Sequence, residues 1–216
     1  MDNKEIKELN RLTYARIAQE YSERDSNVLP ISAEVEAARQ DLANRLLPGA
    51  AILDLGCGSG RDSRMFHSLR FAVTGIDISP DMLAQAKRQA PDIEYLELDM
   101  ELLDLAGRQF DAVWANASLL HLPKDSIRPV LRQLHTVLTP NGLLFIKVKQ
   151  GNGERVADEE RFNMRIQRFY SFYQTEELKE LVEEERFKTL RVSSDSANKW
   201  IDLLAVKANK ICFTEK

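Results

Sequence analysis

The stretch Ala51-Ile52-Leu53-Asp54-Leu55-Gly56-Cys57-Gly58-Ser59-Gly60-Arg61-Asp62 limits the fold more than any other part of the chain. Its apolar start rises into an acid and reads as a buried strand. Glycine then falls at every second position. That run reads as a tight turn whose backbone comes close to a ligand, which only a residue without Cβ permits. A helical pattern of Met65, Phe66 and Leu69 opens from the last glycine. Strand, glycine turn and helix together predict a ligand loop with outward-pointing N–H groups.

Spacing narrows the ligand. A dinucleotide loop of the form G-x-G-x-x-G would place its third glycine at 61. Arg61 stands there, and the glycine falls at 60. Asp54 would repel a diphosphate and suits an ammonium or sulfonium group instead. The next apolar run, Phe71 to Ile76, ends at Asp77. An acid roughly 20 residues past the glycine loop is placed to accept hydrogen bonds from ribose hydroxyls. The expected ligand is a nucleoside without phosphates.

Four further motifs follow in order: Gly75-Ile76-Asp77-Ile78-Ser79, Leu98-Asp99-Met100, Phe110 to Asn116, and Leu138-Thr139-Pro140-Asn141-Gly142-Leu143-Leu144. With the glycine loop they make residues 50–148 resemble the class I S-adenosylmethionine-dependent methyltransferases. The resemblance implies an α/β fold. Its three-layer α/β/α sandwich holds a seven-stranded, mostly parallel Rossmann-like sheet with an antiparallel last strand, plus N-terminal helices. The implied cofactor is S-adenosyl-L-methionine. Its implied site joins Asp54, Gly56, Cys57, Gly58 and Gly60 with Asp77 on the ribose. Ile78 and Met82 would lie on the adenine. Asp99 would accept from the adenine amino group, the Met100 N–H would meet a ring nitrogen, and the Asn116 carbonyl would hold the methionine amino group. Pro140-Asn141-Gly142 replaces the family's Pro-Gly-Gly, a mild change because Asn tolerates positive φ. Asn116-Ala117-Ser118-Leu119 departs from the Asn/Asp-Pro-Pro-aromatic motif of methyltransferases acting on exocyclic nitrogens, and so disfavours that chemistry.

The acceptor side has weaker signals. His121 follows the fourth strand and suits a general base near neutral pH, or a loop anchor. Tyr170 lies in the aromatic run Arg168-Phe169-Tyr170-Ser171-Phe172-Tyr173 and is expected to face the acceptor with His121, with Arg168 holding an anionic group. Tyr14 and Tyr21 sit in a pattern that relatives use as a lid over the cofactor; core packing is the rival reading. Trp200 reads as strand packing.

The remaining sequence is consistent with one domain over 1–216, with a helical lid at 1–47 and a substrate-side insertion at 150–174. Helices are expected over 4–23, broken by Pro30, and over 33–47. Strands alternate with helices from 51 to 149, as in a parallel sheet wrapped by helices. A last helix at 175–185 and two strands close the chain. Its 216 residues carry a net charge of −4, which argues against a general nucleic-acid binder without excluding nucleic acid. No segment resembles a signal peptide or a membrane span. Cys57 and Cys212 do not make a disulfide framework, so a reduced, cytoplasmic protein is expected. No ligand cluster for a metal is evident, and oligomeric state is left open. The expected activity is methyl transfer to a small-molecule acceptor by in-line displacement. Rival readings are a tRNA or protein methyltransferase and a non-catalytic cofactor-binding adaptor. A nicotinamide-dependent oxidoreductase is opposed by the glycine spacing.

Overall fold

A computed structural model describes residues 1–26 and 32–208. Pro30 and Cys212 lie outside the described residues. Three helices come first: α1 (Asn3–Arg16), α2 (Ala18–Ser26) and α3 (Ala33–Asn44). Alternation then runs β1 (Ala51–Leu55), α4 (Arg61–Ser68), β2 (Ala72–Asp77), α5 (Pro80–Gln89), β3 (Glu94–Glu97) and β4 (Phe110–Asn116). A short 3₁₀ turn at Leu119–His121 leads into α6 (Lys124–Val137) and β5 (Leu138–Gln150). The chain continues through β6 (Glu154–Arg161), β7 (Met164–Tyr173), α7 (Thr175–Glu184), β8 (Phe187–Ser194) and β9 (Trp200–Lys207).

Local chemistry explains the boundaries. Asp2 and Glu5 form a reciprocal capping box on α1. The expected single helix over 4–23 is two, because Ile17 leaves helical geometry and caps α1. Ser79 caps α5 with Pro80 in its first turn, where the missing N–H costs nothing. In α6, Ile127, Val130, Leu131 and Leu134 recur at helical spacing and are all buried.

Strands β3-β2-β1-β4-β5 run parallel in that order. β9 pairs antiparallel with β5, and β8 pairs antiparallel with β9. These are the seven strands and antiparallel last strand that the motifs imply. The segment 150–174 adds something the sequence reading left unassigned. β6 and β7 form an antiparallel hairpin, and β7 joins the end of β5 at Lys149 and Gln150. β4 ends at Asn116 opposite Lys147, so β7 takes the edge of β5 that β4 vacates. The hairpin therefore stands over the carboxyl ends of the central strands.

Alternate residues of the central strands face opposite layers, as the two-residue strand period requires. Leu53, Val113 and Ile146 pack with α6 and α7, whereas Ile52, Trp114 and Phe145 pack with α3 and α4. Trp114 stacks on Phe145 at 4.0 Å and meets Phe66 edge-on at 5.2 Å. Among the described residues, no helix is long and apolar enough to cross a membrane.

Candidate active site

A cavity of about 480 Å³ opens across the carboxyl ends of β1, β2 and β4. It falls within the roughly 300–1,000 Å³ of small-molecule sites, at the edge where open α/β sheets bind ligands. One wall is the glycine loop and β2. The other is α1, the 3₁₀ turn and the hairpin.

Asp54, Gly56, Cys57, Gly58, Asp77, Ile78, Met82, Met100 and Asn116 line the first wall. The loop is knit to its neighbours rather than left with free N–H groups. Gly56 and Cys57 donate to the Ile76 carbonyl at 2.8 and 2.9 Å. Gly58 donates to Asp77 Oδ2 at 2.9 Å, and the Ser79 N–H donates to Asp77 Oδ1 at 2.8 Å. Each carboxylate oxygen keeps a further lone pair for a ligand hydroxyl. Burial still pushes the Asp77 carboxyl upward against these bonds. Protein packing also dictates two glycines. Gly56 has φ +71°, and a Cβ there would lie 2.5 Å from the Ser118 Cβ. Gly60 has φ +77°, caps α4, and makes room for the Tyr95 hydroxyl rather than lining the cavity.

A carboxylate pair lies beneath the loop. Asp54 is buried and accepts from the Ser63 hydroxyl at 2.5 Å. Burial, reinforced by the charge of Asp62, pushes its carboxyl up. Asp62, in the first turn of α4, accepts from Arg39, Arg61, Trp114 and Asn116 at 3.2, 3.0, 2.9 and 2.7 Å. Burial would raise Asp62, but the Arg61 charge and these donors outweigh it and hold the group low. Asn116 is thus held by its side chain to Asp62. Burial pushes the Cys57 thiol well up, which makes it a poor nucleophile.

Asp99 is engaged by α1 in this structure. It does not line the cavity; its Oδ2 accepts from Lys7 at 2.6 Å and its Oδ1 from the Glu101 N–H at 2.9 Å. Lys7 also pairs with Glu101, so α1 is pinned to the end of β3.

The second wall brings Tyr14, Tyr21, His121 and Tyr170 together, with Lys147, Lys149, Arg161, Arg168 and Trp200. Trp200 is a cavity residue rather than simple strand packing. His121 Nδ1 lies 2.9 Å from the Phe169 carbonyl, which can only accept, so Nδ1 carries the proton. Nε2 then accepts from the Tyr14 hydroxyl at 2.9 Å, and Tyr14 accepts from Arg168 at 2.9 Å. Burial pushes His121 down to about 4 and Tyr14 up to about 12, the latter against the nearby Arg168 charge. The expectation of His121 as a base meets a ring with both nitrogens engaged. Tyr170 lies against that ring at 5.1 Å, and burial pushes its hydroxyl up.

Asn10 and Thr13 were missed. Asn10 accepts from the Phe169 N–H at 2.9 Å, and Thr13 donates to the Gln167 carbonyl at 2.7 Å. With Ile6 and Ile17 they form one buried helical stripe. Polar residues in the phase of an apolar stripe were the available signal.

The geometry defines the class first: a Rossmann-like sheet with its glycine loop, strand-end acids and cavity at the carboxyl edge. Residues 52–142 match the family model described as Methyltransferase domain. The chain therefore has the fold of the class I S-adenosylmethionine-dependent methyltransferases. It is 39% identical over 95 residues to a malonyl-[acyl-carrier protein] O-methyltransferase of Enterobacter lignolyticus, covering 44% of this chain and 37% of that one. It is 34% identical over 143 residues to a trans-aconitate 2-methyltransferase of Klebsiella pneumoniae, covering 61% and 55%. The chain thus spans roughly a third to a half of the length of these curated relatives. A solved structure of Burkholderia thailandensis 1,6-didemethyltoxoflavin-N1-methyltransferase, with its substrate and S-adenosylhomocysteine bound, superposes with a TM-score of 0.75 at 22% identity. It covers 97% of this chain and 92% of that one.

Proposed function

We propose that this chain is an S-adenosylmethionine-dependent methyltransferase acting on a small-molecule acceptor. The observation that carries the reading is the cavity that joins the glycine loop and Asp77 to a second, polar chamber past Asn116. The donor set suits a phosphate-free nucleoside with a cationic tail. Asp77 offers lone pairs to ribose hydroxyls, Ile78, Met82 and Met100 supply apolar cover for a base, and the Asp54–Asp62 pair, with Asp62 held ionised, supplies negative potential near the loop. Similarity to methyltransferases of trans-aconitate and 1,6-didemethyltoxoflavin supports a small acceptor, and similarity to one of malonyl-[acyl-carrier protein] supports a small acyl group as the part that enters the site.

The cofactor, when bound, supplies an activated methyl group. The protein's own task is orientation, which supplies roughly 7–11 kcal/mol in favourable cases. The stitched wall of α1 and β7 is suited to that task. Tyr14 and His121 brace each other and fix the acceptor chamber beside Asn116. His121 is in this reading a positioning residue, and Tyr170 shapes the same wall. The helices of 1–47 act as a cover over the site, and 150–174 forms its substrate side. A cytoplasmic setting belongs to the same reading.

The test is S-adenosylhomocysteine formation from S-adenosylmethionine over a panel of small acceptors, beside calorimetry of S-adenosylhomocysteine binding. Binding with turnover is expected. Binding without turnover on any acceptor would favour the adaptor reading, and no binding would remove the proposal.

A further inference from the structure

Lys149 stands where β5 is flanked on one side by Trp200 of β9 and on the other by Phe172 of β7. Its ammonium lies 4.2 Å from the Tyr170 ring centroid and 5.6 Å from that of Trp200. Among the described residues it makes no hydrogen bond or ion pair. Nearby cations are already committed. Arg168 donates to Tyr14 and to Glu159 Oε2, the latter at 2.5 Å. Arg161 meets Glu159 at 3.5 Å, and Lys147 is paired with buried Asp202. Lys149 is therefore a half-buried cation facing the chamber with aromatic rings beside it and no ion pair among the described residues, the Glu159 charge acting on it from farther off. Resting on the methyltransferase reading, we propose that Lys149 binds a carboxylate of the acceptor and that the carboxylate oxygen is the atom methylated.

The state of the neighbouring groups favours a nucleophile that arrives deprotonated. An ammonium has no lone pair until it loses a proton, and a hydroxyl must give up its proton during the transfer, so both call for a base. His121 Nε2 is occupied by the Tyr14 hydroxyl. Glu159 is held through Oε2 by Arg168, whose charge, against burial, keeps its carboxyl ionised and a weak base, and Asp202 is held by Lys147. Asp195 accepts two backbone N–H groups, from Lys199 and Trp200. A carboxylate needs none of them. One of its oxygen lone pairs forms the C–O bond to the methyl carbon. The S–CH₃ bond breaks, and its electron pair stays on sulfur as a neutral thioether. No proton moves, and one positive and one negative charge disappear together. Lys149, with the fixed charges of Arg161 and Arg168 behind it, would hold and orient the anion. Glu159 opposes that field and keeps it local. Burial and the charges of Arg168, Arg161 and Arg155 lower the Lys149 ammonium, with Glu159 opposing; an incoming carboxylate would restore it.

The experiment compares malonate, succinate, glutarate and benzoate with their amides and with matched alcohols and amines, in wild type, Lys149→Met and Lys149→Arg. Product is read as alkali-labile methyl ester, released as methanol. Wild type is expected to esterify one or more carboxylates. Lys149→Met should raise KM by about 10-fold or more, as for loss of one charge-assisted contact. Its S-adenosylhomocysteine affinity should be unchanged, which also reports folding. Lys149→Arg should recover most of the KM. Turnover on alcohols or amines alone, with product stable to alkali, would overturn this inference and leave the methyltransferase reading intact. A fall in kcat with KM unchanged in Lys149→Met, not recovered in Lys149→Arg, would make Lys149 a base and overturn its binding role. Absence of turnover on every acceptor would count against the functional reading itself.

Discussion

The two walls of the cavity are built at different ranges along the chain. The cofactor wall is built at shorter range: Ser63 reaches Asp54 over 9 residues, Gly58 reaches Asp77 over 19, and Asn116 reaches Asp62 over 54. The acceptor wall is remote: Tyr14 reaches His121 over 107 residues, Arg168 reaches Tyr14 over 154, and Phe169 reaches Asn10 over 159. Local contacts leave motifs that can be read as short strings. Remote contacts leave single residues whose partners only the fold reveals. The first wall is expected to be stiff and common to many acceptors, and the second to carry what distinguishes this one.

The largest effect should come from the buried charge network under the cofactor wall. Asp62→Ala would leave Arg39, which is 2% exposed, with the solvent-facing Glu36 but without its buried partner. Breaking a buried pair costs about 3–5 kcal/mol. Urea unfolding should show that loss; a loss below about 1 kcal/mol would mean the network is not structural.

Next comes the acceptor wall's response to acid. His121 is held neutral at about 4, below its ordinary value of 6.5. The unfolded chain therefore binds the proton more readily. The stability from burying neutral His121 is fully present above about 6.5 and is lost as pH falls through that value toward 4, up to about 3 kcal/mol. Urea midpoints of wild type and His121→Gln between pH 7.5 and 4.5 should converge. Parallel curves would show that His121 is not titrating in this way.

How much of this was legible follows from the same difference in range. Asp54, the glycines and Asp77 were readable because a strand run, a turn and a second strand end lie close in sequence. Asp99 was readable as a strand-end acid but not as the partner of Lys7, which lies 92 residues away. The hairpin of β6 and β7 escaped because Arg168 to Tyr173 is buried without alternation, so the two-residue strand signal is missing. Lys149 escaped because a lysine after an apolar strand ordinarily reads as its solvated end. Trp200 and Tyr170 on either side of it come from distant strands.

A smaller effect should separate stitching from packing on α1. Asn10→Ala removes the acceptor of the Phe169 N–H, worth about 1 kcal/mol. Hydrogen exchange should then speed up in both α1 and β7. Change confined to α1 would show that the two segments open independently. The smallest effect is expected at Asp99, whose pair with Lys7 is partly solvent-exposed. Asp99→Asn should change stability by about 1 kcal/mol or less and S-adenosylhomocysteine affinity very little. A 10-fold loss of affinity there would restore Asp99 to the adenine site, since a factor of that size needs a direct contact of about 1.4 kcal/mol.

The division of labour between the walls is tested most directly by calorimetric titration of S-adenosylhomocysteine into wild type, Asp77→Ala and Lys149→Met, each checked for folding by circular dichroism. Asp77→Ala should weaken binding by about 10-fold or more, as loss of charge-assisted bonds to ribose requires. Lys149→Met should bind like wild type. Equal affinity in wild type and folded Asp77→Ala, or a large loss in Lys149→Met, would contradict the assignment of cofactor to one wall and acceptor to the other.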